Sequence, residues 1–274
     1  MSELPPPSRM QAARAWRDGV TSDAERAVAE ETPIALTYDG ATHAVMMATP
    51  ADLEDFAIGF SLTEGLITRA SDITDFAIAP VEHGIDVRLW LTPFAGIAIA
   101  TRRRRLLGAS GCGMCGLESL VEANRSIPVV WAEPRLDVAT IAAALALLPA
   151  AQRLNAVTRA VHAAAYFQPG AALLLREDVG RHNALDKLAG ALARVGRDAA
   201  NGVLLLSSRI SVEMVQKAAM IGAPIIVAVS APTALAVRVA EAARITLVGI
   251  ARDDGFEIFT HAERIITRDA AHVE

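Results

Sequence analysis

Cysteine is almost missing from this chain of 274 residues: there are two, Cys112 and Cys115. Two cannot build the disulfide framework of a small secreted domain, and their scarcity fits a reducing, cytoplasmic setting. Histidine is sparse as well, with six residues and no H-x3-5-H spacing, so the usual companions of a C-x-x-C pair on structural zinc are not in view. No apolar run reaches the ~18 residues of a bilayer crossing. The alanine-rich run 140–151 meets Pro149. The segment 1–17 is proline-rich and polar, without the apolar stretch of a secretory signal. Positive charge is not in excess either. A net charge of −5 argues against general nucleic-acid binding. What the chain has in quantity is apolar residues, 53%, enough for a sizeable core in one large domain or two ordinary ones.

Three successive prolines and alternating charges over residues 1–30 predict a loosely ordered arm. Residues 33–38 and 43–47 then read as strands around an Asp39-Gly40 hairpin turn. Thr49-Pro50 reads as the capped start of a helix ending near Glu64, with Asp52, Glu54 and Asp55 in its first turns. Residues 75–79 and 86–91 read as further strands, and 118–124 as a short helix. Asp137 is expected to cap a helix reaching about Leu148. Beyond Pro149, strands at 161–167, 171–176, 203–206, 225–229, 246–250 and 257–260 are interleaved with helices at 183–195, 212–221 and 233–243. Continuous Val, Ile and Leu strands separated by helices predict a sheet covered on both faces. The expected organisation is an arm (1–30), a small N-terminal α+β domain (31–135) holding a mobile loop at about 101–117, and a C-terminal three-layer α/β domain (136–274).

The two cysteines sit in Gly111-Cys112-Gly113-Met114-Cys115-Gly116, preceded by Arg102 to Arg105. Glycine resists ordering, so the stretch reads as a mobile loop presenting two sulfurs beside fixed positive charge. Guanidinium groups favour thiolate, the nucleophilic form. Structural zinc, a thioredoxin-like dithiol and a persulfide carrier are three possible roles. The third needs exposure, mobility and a lowered thiol pKa, and suits the loop composition best. The arginine run either assists thiolate formation, docks an acidic partner or is simply solvated.

A second cluster runs from Glu177 to Lys187, with seven of eleven residues polar or charged, joining an apolar strand to a helix. Loops at the carboxyl edge of an α/β sheet are where ligands settle. Asp178, Arg181, His182 and Lys187 are candidates for holding an anionic ligand; the plain alternative is a helix start with Asp178 or Asn183 covering backbone N–H groups. His162 lies among apolar residues, where a satisfied core histidine is the commoner case. Ser207-Ser208-Arg209 through Glu213 places hydroxyls between a strand and a helix, suited to capping or to phosphate binding. Ile250-Ala251-Arg252-Asp253-Asp254-Gly255 is another loop leaving a strand, with a cation, two acids and glycine.

Taken in order, Gly59 to Gly65, Gly111 to Gly116, Glu177 to Lys187, Ser207 to Lys217, Ala228 to Thr233 and Thr246 to Gly249 resemble the FdhD family, the sulfurtransferase accessory proteins of formate dehydrogenase. The resemblance implies a protein that accepts persulfide sulfur from a cysteine desulfurase. It passes that sulfur to the molybdenum of the bis-molybdopterin guanine dinucleotide cofactor, with no intrinsic metal of its own. It further implies that Cys112 carries the persulfide with Cys115 as its partner, and that Ile250, Ala251, Arg252, Asp253, Asp254 and Gly255 line the cofactor stretch. His162, Asp178, Arg181, His182, Lys187, Ser208 and Arg209 complete the expected cofactor-binding set. A homodimer and a formate dehydrogenase partner follow from the same resemblance, as does a C-terminal fold similar to the cytidine deaminases. Zinc deaminases use H-x-E with P-C-x-x-C. Here His162-Ala163-Ala164 has alanine at the glutamate position and no such cysteine pair follows, which implies that deaminase machinery is absent. The lead into His162, Thr158 to Val161, departs from the glycine-bearing lead usual in the family.

Overall fold

The computed structural model describes residues 3–97, 99 and 127–267. Cys112, Cys115, Arg102 to Arg105 and the helix expected at 118–124 lie outside the described residues.

The first structured element is a hairpin where an arm is expected. Strands β1 (Ser8–Arg17) and β2 (Val20–Ala29) pair antiparallel over their whole length. Asp18 and Gly19 take φ of 50° and 81°, the two positive angles of a tight hairpin turn. Asp39-Gly40 repeats that chemistry, at 47° and 79°, between β3 (Thr32–Tyr38) and β4 (Ala41–Ala48).

β5 (Ile73–Val81) and β6 (Gly84–Leu91) complete a four-stranded sheet of order β4-β3-β6-β5, with β3 and β6 parallel. Its inner face alternates as a half-covered sheet should: Ile34 and Leu36 on β3 and Ile85, Val87 and Leu89 on β6 are buried with Phe56 and Phe60. Those phenylalanines belong to helix α1 (Leu53–Thr63). The expected Thr49-Pro50 helix start is displaced. Asp52, left-handed at φ 53°, precedes the helix without a side-chain cap, while buried Thr49 bonds to another part of the chain.

The C-terminal half carries a second sheet. Its strands are β8 (His162–Phe167), β9 (Leu174–Asp178), β10 (Val203–Leu206), β11 (Ile225–Ala228), β12 (Thr246–Arg252) and β13 (Gly255–Ile258), in the order β13-β12-β11-β10-β8-β9. β10, β11 and β12 are parallel; β8 and β13 run against their neighbours. Helix α2 (Val138–Ala151) buries Ile141, Ala144 and Leu148 against one face. Asp137 caps it as expected, accepting a bond from the Thr140 N–H at 2.6 Å, but the helix continues through Pro149 to Ala151. A short helix, α3 (Arg153–Thr158), follows. Helices α4 (Arg181–Arg194), α5 (Val212–Met220) and α6 (Ala234–Ala242) cover the other face, and the three-layer α/β architecture is as the apolar strands predict. Two short strands, β7 (Leu136–Asp137) and β14 (Ile265–Ile266), pair in parallel beside it.

The two sheets are joined through α1 and α4. A Cβ placed on Gly59 would lie 1.7 Å from the Asp186 carbonyl oxygen, and one on Gly190 1.9 Å from that of Asp55. Only glycine permits such a backbone approach. Buried ion pairs flank the crossing. Asp55 meets Arg176 at 2.7 Å and Arg194 at 2.8 Å. Asp186 accepts from Thr63 Oγ1 at 2.6 Å and from Lys217 at 2.8 Å, and Lys217 also reaches Glu64 at 2.7 Å. Burial holds the Asp186 carboxyl above its usual range while Lys217 opposes the shift. A charge left alone there costs ~3–5 kcal/mol, which makes these pairs sensitive to loss of either partner. Gly59→Ala is expected to force the helices apart at a cost of about 3 kcal/mol. Thermal unfolding should then fall by roughly 10 °C; an unchanged melting point would refute the account of the join.

Candidate functional site

Because β9, β10, β11 and β12 all run in one direction, their carboxyl ends share one edge of the sheet, together with the first residues of β8 and β13. Four of the segments singled out in the sequence lie on that edge: His162 opening β8, residues 178–182 after β9, residues 207–213 after β10, and residues 250–255 at the end of β12. Each of the three intervening helices begins there, so three positive helix ends face the same way. This is the crevice position at which open α/β sheets bind ligands.

The edge divides into residues that tie the loops down and residues left over. Asp178 is fully buried and belongs to the first group. Its carboxylate accepts from the backbone N–H groups of Thr49 at 2.9 Å and Gly180 at 2.8 Å and from Asn183 Nδ2 at 3.0 Å, and pairs with Lys187 at 2.7 Å. Lys187, equally buried, also donates to the Thr49 carbonyl at 2.9 Å. Asn183 reaches the Met47 carbonyl, and Thr49 Oγ1 accepts from the Val179 N–H. Asp178 and Lys187 therefore brace the loop against the N-terminal sheet; the structure gives them the helix-start role, not a ligand-facing one. Ser207 is similar: its hydroxyl accepts from the Ala163 N–H at 2.8 Å and anchors the start of β8. Ser208 is buried, its hydroxyl turned to the Arg209 carbonyl at 3.1 Å, while Arg209 is exposed.

Arg181 and His182, in the first turn of α4, belong to the second group. Arg181 Nε and His182 Nε2 are buried and have no hydrogen-bond partner among the described residues. Glu213 stands 4.0 Å from His182 Nε2. Ser211 sits at the N-cap of α5 without a side-chain cap bond; the Ser211 hydroxyl and the Glu213 backbone N–H instead hold the Glu213 carboxyl below its usual pKa. Burial, then Arg181 and Lys217, push the His182 pKa below its usual value against the pull of Glu213 and Glu64. Burial and Arg181 do the same to His162, with Asp178 opposing. Neutral imidazoles beside a permanent guanidinium, with donors unpaired, form a place that gains from an anion carrying several acceptor oxygens. The segment through Glu213 reads in the sequence as suited to capping or phosphate binding, but with Ser208 and Arg209, not Ser211 and Glu213, as its named site members. The serine before an acid-bearing first turn is a signal, but it reads as an ordinary cap.

The stretch Ile250 to Gly255 is a tight hairpin instead of an open loop. β12 continues to Arg252, which pairs with Gly255 across the turn. Ile250 has φ 53° at a break in the ladder, and its N–H donates to the Ser230 carbonyl at 3.2 Å. A Cβ on Gly249 would come within 2.8 Å of Pro232, so the hairpin is pressed onto the loop that starts α6. Ala251 is buried, whereas Arg252, Asp253, Asp254 and Gly255 are exposed at the end of the edge.

Residues 29–266 match the model of the FdhD/NarQ family. This chain belongs to the FdhD/NarQ family. It is 50% identical over 260 residues to the sulfur carrier protein FdhD of Agrobacterium fabrum, covering 94% of this chain and 96% of that one. It is also 50% identical over 262 residues to the protein of the same name from Cupriavidus necator, covering 95% and 91%. A crystal structure of a candidate formate dehydrogenase accessory protein from Desulfotalea psychrophila superposes with a TM-score of 0.74 at 27% identity, covering 95% of this chain and all of that one. The edge built here thus belongs to an FdhD/NarQ fold, and its frame can be told from its ligand-facing groups by stability. Asp178→Ala strands Lys187 in the core and should cost ~3–5 kcal/mol. Arg181→Ala or His182→Ala, which breaks no hydrogen bond among the described residues, should stay within about 1 kcal/mol. Denaturant midpoints measure both, and equal losses would overturn the division.

Proposed function

We propose that this chain is a sulfur carrier that receives persulfide sulfur on Cys112 and hands it to a nucleotide-bearing metal cofactor held at the carboxyl edge of the C-terminal sheet. The observation that carries the reading is the pair of buried nitrogens at the start of α4, Arg181 Nε and His182 Nε2, that have no hydrogen-bond partner among the described residues, in a chain of this family with one C-x-x-C pair. Family membership and the name of its relatives support the sulfur-carrying part. The donor is a cysteine desulfurase, the acceptor substrate the bis-molybdopterin guanine dinucleotide cofactor, and the client a formate dehydrogenase. The protein works as a homodimer in the cytoplasm.

The chemistry starts with the Cys112 thiolate attacking the outer sulfur of the desulfurase persulfide. The donor's S–S bond breaks, its cysteine leaves as thiolate, and a new S–S bond forms on Cys112. Release as sulfide requires two electrons. They come from the Cys115 thiolate, which attacks the Cys112 sulfur, expels the outer sulfur and closes a disulfide that a cellular dithiol later reduces. The edge contributes position. From the β8 end with His162 and His182 to the β12–β13 turn with Arg252 and Asp253 is about 14 Å, three strand spacings, which suits an elongated ligand with separated phosphates and bases.

Intact-protein mass spectrometry after incubation with a cysteine desulfurase and cysteine tests the carrier. One added sulfur, removed by reductant and missing from Cys112→Ala, is expected. No gain, with a desulfurase active on another acceptor, leaves a cofactor chaperone in its place; activity abolished by Cys115→Ala alone without a persulfide intermediate favours a redox dithiol. The edge is tested with guanosine diphosphate by calorimetry. Phosphate stabilises the charged imidazole, so binding takes up protons and must tighten as pH falls from 8 to 6, toward and below the ordinary histidine pKa of about 6.5. His182→Ala should weaken that pH dependence and Arg181→Ala should weaken binding at least tenfold; binding untouched by both would refute the site.

A further inference from the structure

β1 and β2 stand almost wholly outside the family-matched segment, which begins at residue 29, and outside the three apolar cores. They pair without a bulge for ten residues each, a ribbon ~34 Å long. A lone two-stranded hairpin is marginal in water, and a long flat edge is a template for another strand. β2 is tied to the body: Arg26 Nη2 donates to the Thr158 carbonyl at 3.5 Å. β1 pairs with β2 alone among the described residues. Its other edge has no proline, no lysine and no bulge to guard it. Met10 and Trp16 on it are 60% and 72% exposed.

The register states what fits. Arg17 and Val20 close the ladder next to the two-residue turn. Odd-numbered residues of β1 therefore exchange main-chain bonds with β2, and the even-numbered ones, Ser8 to Trp16, turn their N–H and C=O groups outward. Antiparallel partners share a face, so a two-fold axis between two β1 edges must fall on one residue. With the axis on Ala12, Ala12 faces its own copy, Met10 faces Arg14, Ser8 faces Trp16, Arg9 faces Ala15 and Gln11 faces Ala13. No like charges are opposed, the small residue sits at the axis, and Trp16 lies diagonal to Met10 of the second copy, within reach of an aromatic ring. With the axis on Arg14, two arginines collide. With it on Ala13, Arg9 faces Arg17, again opposing like charges.

We propose that two copies of this chain pair through β1, edge to edge and antiparallel with Ala12 at the two-fold axis, forming a four-stranded sheet between the protomers. The proposal rests on the homodimer reading above and names its surface.

Analytical ultracentrifugation of the full chain and of Ala12→Pro tests it. Proline removes an outward N–H and leaves every bond to β2 in place. The unaltered chain should sediment at twice 28.9 kDa and the variant at 28.9 kDa. Independently, with Cys112 and Cys115 replaced by serine, Ala12→Cys should form a disulfide-linked dimer on oxidation and Arg17→Cys, at the strand end, should not. A chain that is monomeric throughout overturns both the homodimer reading and this one. A dimer that survives Ala12→Pro and is not trapped by Ala12→Cys keeps the homodimer and overturns the β1 contact. Trapping through Arg17→Cys alone overturns the register.

Discussion

The close crossing of α1 and α4 is the constraint on which the functional edge depends. Gly59 and Gly190 bring the two helix backbones together until each meets the other's carbonyl groups. That approach places three acids, Asp55, Asp178 and Asp186, in the seam between the sheets, and each is buried with a basic partner. Buried pairs of this kind add little net stability, since desolvation offsets much of their attraction. Their effect is positional. Each is hydrogen-bonded on several sides, and a shifted register would strand a charge in the core.

Asp178 carries this logic to the site. By holding Thr49, Gly180, Asn183 and Lys187 at once, it fixes the loop after β9 against the N-terminal sheet. Arg181 and His182 follow three and four residues later and begin α4 with their side chains half-buried and with Arg181 Nε and His182 Nε2 unpartnered among the described residues. The frame is satisfied and the residues mounted on it are not. A ligand site needs that contrast, because a donor already paired must be unpaired before it can bind anything.

The resemblance motifs acquire physical meaning in this arrangement. Gly59 and Ser61 to Glu64, at the end of α1, serve the crossing: Ser61 bonds to Tyr38, Thr63 to Asp186, and Glu64 to Lys217. Glu177 accepts from the backbone N–H groups of Leu154 and Asn155, covering the start of α3. Several of the residues that look chemical in the sequence are thus structural, and their polarity reflects burial in a seam between two sheets.

By itself the sequence determined the local elements. Apolar strands such as 203–206 and 225–228, alternation at 85–91 and the Asp-Gly turn at 39–40 each carry a short-range signal that the backbone obeys. The same turn signal at Asp18-Gly19 was legible and was masked by the prolines and charges around it. The family was legible too, because several motifs recur in one order. Tertiary structure alone decided which polar residues would be left free. Asp178 and Arg181 are three residues apart and equally polar, yet one is locked to Thr49 and Lys187 and the other keeps an Nε with no partner among the described residues. That difference arises from the contact with Thr49, 129 residues away in sequence, whose geometry no local pattern encodes.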